Sequence, residues 1–233
     1  MKLVLFLREN NISCSLFPIT FDSLISRARN AAIAHFLSNK ENTHILFIDA
    51  DIEFSSQDVM KLIYSREKVV CAGYAQKWLD ETKLKTIFKE VHTPSNPLEL
   101  CTNTSVHLIN KDNSPSKLVE AEYATTGFLL CQREVFENIM IKHKELKFHN
   151  DIDGYNGANP DYFYDFFPVR INPSTLRYES EDYGFSRLWR QMDGKIYVVT
   201  DVSLKHHGWF GYSANVFRQQ QFHHNNEGEK QKI

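Results

Sequence analysis

Apolar positions divide the first part of the chain into blocks of different period. Leu24, Ile25, Ala28, Ala32, Ile33, Phe36 and Leu37 recur at helical spacing, which predicts a helix ending about Ser38 with Asp22-Ser23 as its N-cap. His44-Ile45-Leu46-Phe47-Ile48 is instead a continuous apolar run, the pattern of a buried strand. Ser55-Ser56-Gln57-Asp58 has the form of a capping box and predicts a helix from Gln57 to Tyr64. Val69 to Gly73 is another short buried strand, and Leu3 to Leu7 reads as the first strand of the chain. Strands alternating with helices in this way predict a parallel sheet with right-handed crossovers.

The middle is less regular. Lys83 to Val91 reads as a strand, and His92 to Ser116, rich in Asn, Pro, Ser and Thr, as loop or hairpin. Leu118 to Tyr123 and Phe128 to Cys131 are strands flanking Thr125-Thr126-Gly127, and Arg133 to His143 is an amphipathic helix. His149 to Pro160 is a polar loop, either a closure over ligand or an inert surface excursion. A helix from Asp182 ends at Met192-Asp193-Gly194; Lys195 to Thr200 and Val202 to His206 follow as strands, and Gln219 to Ile233 is a polar, frayed tail. No internal repeat is present.

Composition narrows the class. A chain of 233 residues that is 42% hydrophobic and 24% charged is long enough for one large α/β core or two small ones, and one core is the simpler expectation. With 27 basic and 29 acidic residues the formal charge is -2, so no global charge invites nucleic acid or an anionic membrane. Cys14, Cys71, Cys101 and Cys131 have no metal-like spacing and are expected to be free thiols. No run approaches the roughly 20 apolar residues of a membrane span, and the apolar stretch after Met1 is too short for a signal sequence. A cytoplasmic location and no membrane span are therefore expected.

Three constellations carry candidate chemistry. Asp49-Ala50-Asp51 follows the apolar run, so both acids emerge where open α/β sheets bind ligands. Hard oxygen donors there suit Mg²⁺ or Mn²⁺. Capping of the next helix is the plain alternative, made less necessary by Ser55-Ser56. In Glu179-Ser180-Glu181-Asp182-Tyr183-Gly184, acids at a helix start are stabilised by the macrodipole, and one of them is also well placed as a general base. Adjacent helical residues point about 100° apart, so only one of Glu181 and Asp182 faces a given pocket, and Asp182 is assigned to it. The third is Lys205-His206-His207-Gly208-Trp209-Phe210. An imidazole beside two carboxylates favours Mn²⁺, and Trp209, Phe210 and Tyr212 are sugar-stacking or core aromatics.

At these residues the chain resembles the GT-A glycosyltransferases, in particular small inverting enzymes of the family 2 type, and it is similar to the glycosyltransferase domain of large algal-virus proteins. The resemblance runs in order through Ser26-Arg27-Ala28-Arg29-Asn30, Phe47-Ile48-Asp49-Ala50-Asp51-Ile52, Gly73-Tyr74, Thr126-Gly127-Phe128, Ser180-Glu181-Asp182-Tyr183 with Arg187 and Arg190, and Leu204-Lys205-His206-His207-Gly208. It implies a single GT-A-type domain over residues 1–218, with a Rossmann-like central mixed sheet flanked by helices. Residues 1–100 would form the nucleotide-sugar-binding half, 101–218 the acceptor-binding and catalytic half, and 219–233 the tail. Asp51 would bind the metal, Mn²⁺ or Mg²⁺, with Asp49 touching the ribose or the metal shell. His206 would be the late ligand, although the doubled histidine leaves His207 open. Asp182 would be the catalytic base, Arg29 and Asn30 would lie near the nucleotide base, and Thr126-Gly127 near the donor sugar. The implied activity is hexosyl or deoxyhexosyl transfer from a nucleoside-diphosphate sugar, a UDP-sugar in the first instance, to a glycan or glycoconjugate acceptor. A sugar nucleotidyltransferase and a catalytically silent carbohydrate-binding module are the rivals.

Overall fold

The computed structural model describes residues 2–20, 22–87, 97–109 and 116–221. Its helices are α1 (Lys2–Glu9), α2 (Ile25–Ser38), α3 (Ser56–Ser65), α4 (Glu81–Ile87), α5 (Arg133–Lys142) and α6 (Glu181–Arg190). Its strands are β1 (His44–Ile48), β2 (Ile52–Glu53), β3 (Val69–Cys71), β4 (Ala75–Leu79), β5 (Thr102–Thr104), β6 (His107–Leu108), β7 (Leu118–Tyr123), β8 (Phe128–Gln132), β9 (Arg170–Ile171), β10 (Tyr178–Glu179), β11 (Ile196–Val199), β12 (Leu204–His207) and β13 (Gly211–Ala214). This is a mixed α/β architecture built on a six-stranded sheet of order β1-β8-β3-β11-β7-β6 with flanking helices.

The adjacent interior strands β8 and β3 are short apolar runs because both of their faces are covered. Every residue of β3 is buried, as are Phe128 to Cys131 of β8. β3 and β11 run parallel, with Tyr197 opposite Val70, whereas β6 and β7 are antiparallel, with His107 opposite Tyr123. The sheet is therefore mixed, and β8 lies between β1 and β3. Two strands consecutive in the early alternation are thus separated by one that arrives much later. Smaller sheets join β13-β12-β2, β4-β5 and β9-β10.

The chain divides into two compact units, interleaved along the sequence. The first comprises Met1–Leu46, Glu67–Val69 and Leu130–Ile196. Its core is aromatic: Phe136 meets Phe166 edge-on at 5.3 Å and stacks near Phe185 at 6.0 Å, and Phe185 stacks on Phe167 at 4.9 Å. Ile33, Leu37, Ile139 and Leu188 of the same unit are also fully buried. The polar segment 149–160 is tied to this unit. Tyr155 and Ala158 pack on Ala31, Ala34 and Phe163, the Tyr155 hydroxyl donates to Asp22 Oδ2 at 2.6 Å, and Asn159 N donates to Ser38 Oγ at 2.7 Å. Closure of this segment over a ligand would break both bonds.

The second unit comprises Phe47–Arg66, Val70–Leu129 and Tyr197–Ile233. The capping box opens α3 as the sequence predicts, with Asp58 N donating to Ser55 Oγ and Ser55 N to Asp58 Oδ2. Val59, Met60 and Leu62 then bury its apolar face.

Several expectations are corrected. Leu3 to Leu7 lies in a helix, α1, not a strand. A short apolar run does not distinguish the two, and Leu, Lys, Arg and Glu are strong helix formers. Asn11, at φ 59°, ends α1 while Ile12 N donates to Leu7 O, a left-handed helix stop. α2 starts one residue after Leu24, which occupies the cap position; Asp22 accepts from Leu24 N and from Arg27 instead. The described part of the proposed strand Lys83 to Val91 is helix α4. Asp80 Oδ1 accepts from Thr82 N and Lys83 N, an N-cap that commits the segment to a helix, while Leu84 and Ile87 pack on Leu100 and Cys101. Residues 88–96 and 110–115 lie outside the described set, so only part of His92 to Ser116 is seen, as a 3₁₀ turn, β5 and β6. Gln219, expected in the frayed tail, donates to Glu99 O and Thr102 O; residues 222–233 lie outside the described set. The four cysteines are free. No helix among the described residues is long and apolar enough to cross a membrane.

Candidate functional site

In the second unit the chain leaves β1 and turns at once. Asp49 N donates to Gly127 O at 3.0 Å and Ile52 N to Asp49 O at 3.0 Å, so Asp49-Ala50-Asp51 forms the tight turn into β2. That strand pairs with β12, setting Ile52 opposite His206 and Glu53 opposite Lys205. His207 N donates to Asp51 O at 2.8 Å and extends the pairing. The turn therefore delivers the Asp51 carboxylate to the side chain of His206, with His206 Nε2 at 3.3 Å from Asp51 Oδ2.

Strand alternation decides between the two histidines, because neighbours on a strand point to opposite faces. His207 and Lys205 turn to the other side and hold Glu53 at 2.7 and 3.0 Å. These contacts keep the exposed Glu53 carboxyl below its ordinary range, the lysine contributing most. His206 Nδ1 lies 2.8 Å from Ala75 O. A carbonyl only accepts, so Nδ1 carries a proton, and in the neutral ring the Nε2 lone pair is turned on Asp51. A proton or a cation between them satisfies both. Ligating histidines are commonly oriented by such a carbonyl.

The surroundings are specific. The Tyr74 ring stands edge-on to His206 at 5.1 Å, and a Cβ at Gly127 would come within 2.9 Å of the same ring. A larger residue at 127 would therefore have to displace the Tyr74 ring. Thr126 is buried, and its neighbour Thr125 donates from Oγ1 to Ala72 O. Asp51 has one partner that sequence reasoning missed: Lys77 Nζ at 2.6 Å from Oδ2. Burial pushes the Asp51 carboxyl up, but the bond from Lys77 and the charges of His206 and Lys77 outweigh it and hold the group below its ordinary value. Only the spacing of Lys77 from Gly73-Tyr74 was available as a signal, and it is not diagnostic.

Among the described residues no group of three or more His, Cys, Asp or Glu side chains gathers as a metal-holding set. Asp51 and His206 make a pair, and Asp49 is half-buried at the same turn. One or two carboxylates with water and substrate phosphates suffice for Mg²⁺, and an added imidazole suits Mn²⁺. The residues fit an open divalent site completed by non-protein ligands.

The first unit carries the other predicted residues. Arg29 is buried with Nε at 3.5 Å from Glu181 Oε1. Asn30 is buried too, its Nδ2 donating to Asp165 Oδ1 at 2.9 Å while its Oδ1 accepts from Phe167 N at 3.2 Å; both ends of the amide fasten segment 165–167. Asp182 is half-buried in the first turn of α6, its Oδ1 accepting from Ser180 Oγ and from Tyr183 N at 2.8 Å. Glu181 turns to Arg29, as the divergence of adjacent helical residues requires. The sequence reading named Glu179 without a partner; it is buried, accepts from Asn172 Nδ2 at 2.6 Å and lies 2.8 Å from Arg187. Burial, reinforced by Arg187, draws the neighbouring Arg170 guanidinium below its ordinary value.

No protein-family model and no curated protein matches the chain. Among solved structures, it is similar to the crystal structure of A197 from STIV, at 17% identity and a TM-score of 0.45, over 88% of this chain and 78% of that one.

Proposed function

We propose that this chain is a metal-dependent, inverting glycosyltransferase of the GT-A type that uses a nucleoside-diphosphate sugar, a UDP-sugar in the first instance, and passes the sugar to a hydroxyl of a glycan or glycoconjugate. The observation that supports it best is the pair Asp51–His206 at the turn after β1, with His206 Nδ1 fixed by Ala75 O and Nε2 turned on the carboxylate. In this reading Asp51 and His206 hold the divalent ion, and Asp49 lies beside the ribose or the metal shell. When bound, the ion supplies Lewis-acid stabilisation of charge on the leaving diphosphate. In this reading Thr126 and Gly127 lie near the donor sugar, and Arg29 and Asn30 keep the place near the nucleotide base that the resemblance implies. Asp182 is the base that takes the acceptor proton, fixed by Ser180 and by the backbone of α6.

Purified protein incubated with UDP-, GDP- and dTDP-sugars and Mn²⁺ is expected to release the matching nucleoside diphosphate, slowly without acceptor. Release should stop in excess EDTA and in Asp51→Asn. Pyrophosphate as product would assign the chain to nucleotidyl transfer instead, and donor binding without turnover would assign it to a carbohydrate-binding role. Full turnover in EDTA would overturn the metal dependence.

A further inference from the structure

We propose that Lys77 is a tethered counter-ion of the donor site, occupying Asp51 until a divalent cation displaces it; this rests on the metal-binding role given to Asp51 above. Lys77 stands on β4, where Ala75 is buried while Gln76, Lys77 and Trp78 face outward. β4 therefore supplies two groups to one place. Ala75 O orients His206 Nδ1 at 2.8 Å, and two residues later Lys77 Nζ meets Asp51 Oδ2 at 2.6 Å.

The lysine is aimed by its stem. A Cβ at Gly208 would lie 3.2 Å from Lys77 Cδ and 3.6 Å from its Cγ, and 3.3 Å from Tyr212. The hydrocarbon chain thus crosses the bare backbone of Gly208, in the hairpin after His206-His207, and any larger residue there would crowd it. The ammonium is left at the carboxylate oxygen that also faces His206 Nε2.

Charge gives this position a consequence. The ammonium and a divalent ion compete for Asp51 Oδ2, the oxygen that faces His206, since the two cations repel at contact distance. An ion bound between His206 and Oδ2 therefore favours departure of Lys77, and the anchored stem keeps the lysine close. A divalent ion offsets the charges of Asp49 and Asp51 but not those of a diphosphate. The released ammonium supplies the next positive charge, and phosphate oxygens are the chemistry it would meet.

Mn²⁺ alone, titrated into the full chain with free Mn²⁺ read by electron paramagnetic resonance, tests the exchange. Lys77→Met should bind Mn²⁺ about tenfold tighter than wild type, from loss of the competing pair and of the repulsion. Lys77→Arg should stay near wild type, and Asp51→Asn should abolish binding in either background. Urea midpoints confirm that the variants are folded, as the exposed position of Lys77 predicts. Unchanged or weaker binding in Lys77→Met, with Asp51→Asn still defective, would overturn the exchange and leave the metal role of Asp51 standing. Absence of Mn²⁺ binding in every variant would overturn both. UDP binding in EDTA that Lys77→Met abolishes would also overturn displacement, making the lysine itself the cation of the site.

Discussion

Tyr155→Phe isolates the bond that fastens segment 149–160 to the start of α2. The substitution keeps the ring packed on Ala31 and Ala34 and deletes only the hydroxyl that donates to Asp22 Oδ2 at 2.6 Å. A hydrogen bond to a charged group contributes about 1.5–3 kcal/mol. Arg27, which also bonds Asp22, is 37% exposed, so solvent screening favours the lower end, about 1.5 kcal/mol. For a chain of this size that lowers the melting temperature by about 3–6 °C. The loss should depend on pH in a defined way. Asp22 is held down to about 2 from 3.8, chiefly by the bond from Arg27, against burial and with help from Tyr155. A depressed carboxyl stabilises the fold above its unfolded value and loses that stabilisation as pH falls through the folded one, so the difference between wild type and Tyr155→Phe should shrink between about pH 4 and pH 2. Burial, then the bond to Asp22 and its charge, raises the Tyr155 hydroxyl from 10.0 to about 12. A raised phenol stabilises the fold below its unfolded value and loses this as pH rises through the folded one, so the difference should shrink again between about pH 10 and pH 12. Urea unfolding across pH measures it, with Asp22→Asn and the double variant completing the cycle. A deficit below about 0.5 kcal/mol at neutral pH, the scatter of ordinary surface changes, or no coupling between the two substitutions, would refute the reasoning.

His206→Ala should weaken Mn²⁺ binding by at least the roughly tenfold that loss of a ligand's orienting partner alone costs, whereas His207→Ala should leave it near wild type because that ring faces Glu53; the same resonance titration reads both. Asp182→Asn keeps the shape of the first turn of α6 but removes the basic oxygen. Sugar transfer should fall by roughly 100-fold or more while Mn²⁺ and UDP binding persist, and NMR of the product linkage should show inversion; retention would remove Asp182 from the role of base.

Much of the fold was legible where the signal is local. The run His44 to Ile48, the Ser55–Asp58 box, strands Leu118–Tyr123 and Phe128–Gln132, and the helix after Arg133 emerge within a residue or two of their expected bounds. Capping and periodicity depend on neighbours a few positions away, and those neighbours are written in the chain. Where the local signal is ambiguous the reading failed: Leu3 to Leu7 and Lys83 to Ile87 are helical, the second opened by the Asp80 cap, a signal the strand reading left unused.

The candidate site divides along the same line. That Asp49 and Asp51 follow an apolar strand, and that Asp182 opens a helix, is determined by the sequence alone, since each depends on adjacent residues. Which histidine meets Asp51 is decided only by the pairing of β2 with β12, whose register sets His206 opposite Ile52 and turns His207 to Glu53. A shift of one residue in that register would exchange the two rings. Lys77 at Asp51, Glu181 at Arg29 and the Asn30 amide on segment 165–167 are likewise contacts between elements far apart in the chain. They depend on packing and strand order, which no local window of residues contains.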